Sequence, residues 1–309
     1  GVTSETQVKR FITYFGYKFS DNIILNTEIE YEGGGVKAGG TANTTTGKIT
    51  ADGDEVIVEF MYLDFLGNKN INARVGNFLM PMGLINQQHE PTLFTTVQRP
   101  KTSYYIIPST WNQSGVMAYG DIVDGVQYHA GIVTAMQTDG LTGDRWFRNG
   151  RSRGFKIKTV EYAGVARLDY TGTNGLLVGA SVYGDEDILL WDVHADYKVG
   201  AARFYGTYAS NNRSNTTVNT PEATESFGGY LNASYDVLSF IDSEYKMPLF
   251  VQYEVFNAQS AVSNGGTAND DTKNTSIGIN FFPLEQVVLK ADYVISKTGD
   301  ITSNTSSVS

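Results

Sequence analysis

The sequence predicts an all-β fold, a transmembrane antiparallel β-barrel, and three observations carry that expectation. Apolar and polar residues alternate with a period of two from end to end, strand-like segments run to about ten residues, and connections alternate between tight and long. Period-two alternation alone would also suit an antiparallel sandwich with one packed and one wet face. A sandwich has shorter strands and no reason to gather its long loops at one end, so the spacing decides for the barrel.

Strands are expected at 8–19, 23–32, 55–66, 71–80, 114–123, 126–137, 159–171, 176–184, 188–199, 201–210, 225–238, 245–257, 274–282 and 286–297. The alternation is plain where Asp192, His194, Asp196 and Lys198 interleave with Val193, Ala195 and Tyr197. Tight connections at 20–22, 67–70, 124–125, 172–175, 200, 241–243 and 283–285 alternate with long ones at 33–54, 81–113, 138–158, 211–224 and 258–273, with a shorter one at 185–187. The polar stretch from Thr298 to Ser309 reads as a further outer loop. Barrels of this kind start and finish in the periplasm, so one strand is expected before Gly1 and one after Ser309. The single domain 1–309 then shows about fourteen of about sixteen strands.

Composition narrows the alternatives. Charged residues make up 18% and aromatic residues 12% of the 309, which excludes disordered, collagen-like and coiled-coil chains. With Cys 0, disulfide scaffolds, thiolate metal sites and thiol catalysis are excluded. The net charge of −10 argues against a nucleic-acid partner. No apolar run reaches the length of a membrane helix, but a barrel needs only every second residue to face lipid.

Segment 81–113, the third outer loop once a preceding strand is counted, is the longest and least strand-like connection. It holds Pro81, Pro91, Pro100 and Pro108, four of the seven prolines, and is too apolar to lie in water. Inside a barrel the surface available to it is the inner wall, so it is expected to fold inward and narrow the lumen.

Alternation places Arg10, Lys18, Arg74, Arg167, Lys198, Arg203 and Lys290 on the water-facing side. It places Glu28, Glu30, Glu32, Glu161, Asp169, Asp192, Asp196, Asp236, Glu254 and Asp292 there too. Either sign at the lipid midplane costs about 2–4 kcal/mol, so both belong in the lumen, either as wall ion pairs or as pore-lining groups. Glu28, Glu30, Asp192, Asp196 and Glu254 are the acidic pore candidates. The basic constriction candidates are Arg74, Arg99 and Lys101, with Arg145, Arg148, Arg151 and Arg153 in a run that continues to Lys156 and Lys158. Arginine's planar fork suits oxyanions. Outward aromatics such as Tyr17, Phe19, Tyr31, Trp191, Tyr197, Tyr208 and Tyr293 fit interface girdles.

Catalysis and cofactors are not expected. His89, His129 and His194 lack a paired metal-ligand spacing, so no metal site is predicted, and no nucleophile elbow, phosphate loop or dinucleotide fingerprint is present. The acidic runs 52–55 and 185–187 read as solvated loops rather than calcium sites.

Particular motifs resemble the phosphate-selective porin O and P family. They are Arg74-Val75-Gly76, Pro81-Met82-Gly83, His89-Glu90-Pro91, Arg99-Pro100, Ile107-Pro108-Ser109-Thr110-Trp111 before Gly115, the run from Asp144 to Arg151, and Arg167-Leu168-Asp169-Tyr170. The resemblance implies a trimeric sixteen-stranded porin of the bacterial outer membrane, with the third loop narrowing the pore and basic side chains guiding anions. The expected function is passive diffusion of small hydrophilic solutes, anions among them, with outer-membrane lipid and lipopolysaccharide as surroundings. Two alternatives stand beside it: a plugged structural or adhesive barrel, and a secreted glycan-binding β-sandwich.

Overall fold

The computed structural model describes residues 9–32, 41–42, 49–50, 56–152, 160–214 and 220–309. Its strands are β1 (Arg10–Lys18), β2 (Ile23–Glu32), β3 (Thr41–Ala42), β4 (Ile49–Thr50), β5 (Val56–Leu66) and β6 (Asn72–Leu79). Next come β7 (Asn112–Val123), β8 (Val126–Thr134), β9 (Tyr162–Tyr170), β10 (Leu176–Gly184), β11 (Ile188–Val199) and β12 (Ala202–Arg213). The last are β13 (Ala223–Asp236), β14 (Pro248–Val262), β15 (Thr272–Leu284), β16 (Val287–Thr298) and β17 (Ile301–Val308). All but β3 and β4 form one 15-stranded sheet in which each strand pairs with its sequence neighbour, β2 pairing across to β5. β3 and β4 pair with each other in a separate two-stranded sheet, between β2 and β5 in the chain.

The faces of this sheet are inverted relative to a water-soluble protein. Asp192 and Glu254 are 1% and 2% exposed, while Leu231 is 75% exposed. Phe11, Val193, Val251 and Ile277 share the exposed face, together with Tyr17, Phe19, Trp191, Tyr197, Tyr208 and Tyr293. A single sheet with charge within and hydrocarbon without is stable only when lipid covers its outer face.

The sheet is curled almost to closure. Lys9, just before β1, donates from Nζ to Gln98 Oε1 at 2.7 Å, while β16 accepts the N–H of the adjacent Val97 on Asp292 Oδ2 at 2.8 Å. Neighbouring residues of one segment thus reach both ends of the sheet, and an extended chain spans only about 3.3–3.6 Å per residue.

Two boundaries correct the expectations. The tail from Thr298 to Ser309 is not an outer loop: Ile301–Val308 is a strand in register with β16, Ser296 opposite Ser303 and Asp292 opposite Ser307. The count is therefore fifteen in the sheet rather than about fourteen. β17 lacks an apolar face, so alternation could not mark it; its backbone pairing with β16 makes it a strand. The connection 258–273 is also shorter than expected, because β14 continues to Val262 through the polar positions Asn257 and Gln259. Lys18, Lys198 and Glu161, placed on the lumen side by alternation, are exposed, and Lys18 pairs instead with Asp21 in the adjoining turn.

Candidate functional site: the barrel lumen

The chain between β6 and β7 hydrogen-bonds around the buried face of the sheet. Its turn at Gly83 has φ +62°, and a Cβ there would sit 2.9 Å from Ile107 Cδ1. The left-handed turn lets the Gly83 N–H donate to Asp192 on β11 at 3.0 Å, while its carbonyl accepts Arg167 Nη1 from β9 at 2.6 Å. Farther along, Thr95 N–H donates to Tyr205 Oη on β12 at 3.0 Å, and Asn232 Nδ2 on β13 donates to Thr95 Oγ1 at 2.7 Å. Thr102 N–H donates to Glu254 Oε1 on β14 at 2.7 Å, and Lys290 Nζ on β16 donates to Phe94 O at 2.7 Å and Thr96 O at 3.0 Å. On the opposite side Tyr14 on β1 bonds Glu90, and His89 faces Glu59 on β5 and Glu28 on β2.

Hydrogen bonds hold the segment all round, and its largest apolar contact is with β6–β11, a smaller one joining Ile85 and Phe94 to Tyr205 on β12 and Tyr230 on β13. Trp111 is fully buried, edge-on to Phe147 at 5.6 Å and Tyr183 at 5.0 Å between centroids. Phe78, Met80, Met82, Ile106, Ile107, Met117, Val133 and Leu190 belong to the same cluster, most of whose wall residues come from β6–β11. The connection from β8 to β9 joins it through one helical turn, α1 (Trp146–Asn149), whose Trp146 Nε1 donates to Ala258 O at 2.7 Å.

On the other side a cavity of about 550 Å³ opens between this segment and β14–β17. Ser296, Ser303, Thr305 and Ser307 supply hydroxyls from the wall, Arg99 and Lys101 supply cations from the segment, and Glu254, Asp270 and Asp292 stand among the acids. Glu254 and Asp292 are engaged by the segment, while Asp144 and Asp270 are exposed at the cavity edge. Glu254 Oε1 takes Thr102 N–H and Oε2 takes Asn274 Nδ2 at 3.1 Å, while Asp292 Oδ2 takes Val97 N–H. Lys101 is exposed, and Lys9, Arg10 and Arg99 share its electrostatic neighbourhood, with Arg148 near Arg99.

Of the basic residues singled out from sequence, Arg99 and Lys101 line this cavity. Arg145 and Arg148 lie over the Tyr104 ring, with Arg148 at 3.9 Å, and Arg148 and Arg151 donate to Ser109 O at 3.0 and 3.1 Å. Arg151 also reaches the carbonyl and hydroxyl of Thr110, whose φ of +60° turns that carbonyl toward it. Arg74 is a wall residue, paired bidentately with Asp64 at 2.8 and 3.0 Å and 3.9 Å above Tyr62. Arg153, Lys156, Lys158 and the acidic run 52–55 lie outside the described residues.

Among the acidic ones, Asp192 bonds Gly83, Ser181 and His194, and Asp196 takes Arg203 at 2.8 and 2.9 Å. Glu30 pairs with Arg10 at 3.1 Å, and Glu28 faces His89. Sequence reasoning had not singled out Lys9, Glu59 or the hydroxyl wall of β17. A hydroxyl row carries no charge signal, and Glu59 meets His89 only through the fold.

No protein-family model matches the sequence. Solved structures with similar folds are the outer-membrane channel DcaP of Acinetobacter baumannii (14% identity, 98% of this chain and 83% of that one, TM-score 0.60), OmpF of Salmonella typhi in complex with daunomycin (12%, 95% and 85%, 0.57) and the anion-selective porin of Comamonas acidovorans (13%, 94% and 78%, 0.55). An uncharacterised protein of Aquifex aeolicus strain VF5 is 31% identical over 320 residues, 94% of this chain and 71% of its own length. The chain is an outer-membrane β-barrel with the fold of the bacterial porins, and it belongs to the same family as that Aquifex aeolicus protein.

Proposed function

We propose that this chain is a porin that passes small hydrophilic solutes by passive diffusion, with anions favoured. In this reading segment 81–113 is an inward-folded third loop, and the cavity against β14–β17 is the passage it leaves. The observation that carries the reading is the cationic set on the segment side of that cavity: Lys101 extends into water beside Arg99, with Lys9 and Arg10 near. It faces Glu254 and Asp292, which are tied to backbone N–H groups, and the exposed Asp144 and Asp270. Arg145, Arg148 and Arg151 are not among its lining residues but place positive charge against the same segment, packed on Tyr104 and Ser109. In a narrow low-dielectric passage such fixed charges act on every permeating ion, and the process needs no covalent chemistry. A homotrimer and a place beside the phosphate-selective porin O and P family are part of the same proposal. The motifs that carry that resemblance support them.

Planar-bilayer recording tests the reading. The full protein should give ohmic steps, and a potassium chloride gradient should give a reversal potential on the chloride side. A chain that inserts without conducting, and blocks sugar entry in liposome swelling, is a plugged barrel instead; its observational basis would be the apolar cluster around Trp111.

A further inference from the structure

Three buried side chains from three separate elements meet beside the loop. Glu28 on β2, Glu59 on β5 and His89 between β6 and β7 are 1%, 2% and 3% exposed. One ligand atom from each, two carboxylate oxygens and an imidazole nitrogen, lie within 4.8 Å of one another. His89 Nε2 stands 3.1 Å from Glu59 Oε2 and 3.8 Å from Glu28 Oε1. Despite that proximity none of these three atoms has hydrogen-bond geometry to any partner. Three orphaned polar atoms converging on one point are costly unless something of opposite charge sits between them.

The other imidazole nitrogen fixes the ring. His89 Nδ1 is 3.1 Å from Asn86 O, a carbonyl that can only accept, so Nδ1 carries the proton. Asn86 is itself held by donating to Met80 O and Trp111 O at 2.8 and 3.0 Å. With Nδ1–H donated to a backbone carbonyl, Nε2 is the nitrogen aimed at the two carboxylates, which is how metal-ligating histidines are oriented; it either binds an ion there or carries a second proton shared with them. Among the described residues no lysine or arginine makes an ion pair with the three: Arg74 pairs with Asp64 and Arg10 with Glu30, and Arg99, in the electrostatic neighbourhood of Glu59, donates to the His89 carbonyl at 3.3 Å.

We propose that Glu28, Glu59 and His89 form a binding site for one divalent transition-metal ion, with Zn²⁺ as the reference ion. Bonds of about 2.0–2.2 Å at a tetrahedral angle separate ligand atoms by about 3.4 Å, and the two measured separations bracket that value. The ligand set, one borderline nitrogen and two hard oxygens, suits Zn²⁺ better than Ca²⁺ or Mg²⁺. A cavity of about 350 Å³ bordered by Tyr14, Tyr62, Glu28, His89 and Glu90 supplies an entry path and room for a water as fourth ligand. A bound ion would staple the loop to β2 and β5, with Arg99 between it and the larger cavity. The site is independent of whether the barrel conducts.

The test uses the full protein, folded in detergent and stripped with chelator. Titration with Co²⁺ should develop visible d–d absorption that one equivalent of Zn²⁺ per chain abolishes. His89→Ala and Glu59→Gln should each weaken Zn²⁺ binding at least tenfold, while Glu186→Gln, at an exposed loop acid, leaves it unchanged. X-ray absorption on the unmodified Zn²⁺-loaded protein should show one imidazole donor with oxygen donors, a readout that survives if a variant misfolds. The proposal is overturned by the absence of a stoichiometric site, by oxygen-only coordination, or by folded variants that bind as the parent does. The last two results would mean that adventitious carboxylates hold the ion, and the first that a shared proton neutralises the cluster.

Discussion

The two halves of the lumen are built on the same strand repeat and end in opposite states. Along β6–β11 the inward positions near the outer end are Phe78, Met117, Val133, Val165, Tyr183 and Leu190, and the loop closes on them with Trp111, Ile106 and Ile107. Along β14–β17 the inward positions are Gln252, Glu254, Asn274, Ser276, Ser296, Ser303 and Thr305, and a cavity remains. Period and register do not differ between them; side-chain chemistry does. An apolar inward face recruits the loop because burying each large side chain is worth about 1.5–3 kcal/mol. A hydroxyl face gains little by exchanging water for protein, so it stays wet. The cavity thus remains where the wall holds the loop by a few hydrogen bonds and not by a large apolar cluster.

The largest expected effect comes from breaking the packed half. Trp111→Ala removes a fully buried indole clasped by Phe147 and Tyr183, and large-to-small substitutions of this kind cost about 3–5 kcal/mol. Unfolding in detergent should move to lower denaturant, and single-channel records should become noisy as the loop loosens. Leu231→Ala, on the exposed outer face, is the control and should change neither readout. If the two substitutions behave alike, the apolar cluster does not hold the loop.

Next is to fill the open half. Thr305→Trp projects a large ring from β17 into the cavity of about 550 Å³ and should lower unitary conductance on the order of twofold without changing stability in detergent. Unchanged conductance would move the passage elsewhere in the lumen.

Much of this contrast can be read from the sequence, and the part that cannot has a physical cause. Strand positions follow from alternation, which survives wherever one face meets lipid, as at Val193, Ala195 and Tyr197 beside Asp192, His194 and Asp196. The prolines and apolar residues of 81–113 mark a segment that needs a packing surface. Alternation fails at β17, where Ser303, Thr305 and Ser307 face the cavity but Thr302, Asn304 and Ser306 are polar as well. It also overreaches at Lys18 and Lys198, which lie at strand ends where long side chains leave the lumen. The half chosen by the loop, and the meeting of Glu28, Glu59 and His89, depend on which distant strands the curl brings together. No local spacing encodes that. The basic run at 145–151 was visible as charge, but its stacking on Tyr104 was not, because the partner lies some forty residues away.

Charge changes inside the open half should be smaller and graded. Lys101→Glu replaces an exposed cation at the cavity edge, so the fold should stand while the reversal potential moves toward cations. The shift should be clear at 0.1 M salt, with a Debye length of about 10 Å, and largely lost at 1 M, where it is about 3 Å. A shift that persists at 1 M would mean a site of tight ion binding rather than a screened field.

The smallest effect should come from Asp292→Asn, although it too removes a charge from the cavity wall. Asp292 Oδ2 already accepts the Val97 N–H, and an asparagine can keep that acceptor, so the loop contact survives and stability should change by no more than about 1 kcal/mol. Lys290 lies two residues along the same face with its ammonium on Phe94 O and Thr96 O, so it offsets much of the carboxylate's field at the cavity. Anion preference should therefore rise only slightly, by less than the change that Lys101→Glu makes in the other direction. The order of these two shifts is the informative quantity. If Asp292→Asn moved the reversal potential further than Lys101→Glu, the wall and not the loop would set the sign of the passage. The acids of β14–β16 would then have to be counted as open to permeating ions despite their backbone partners.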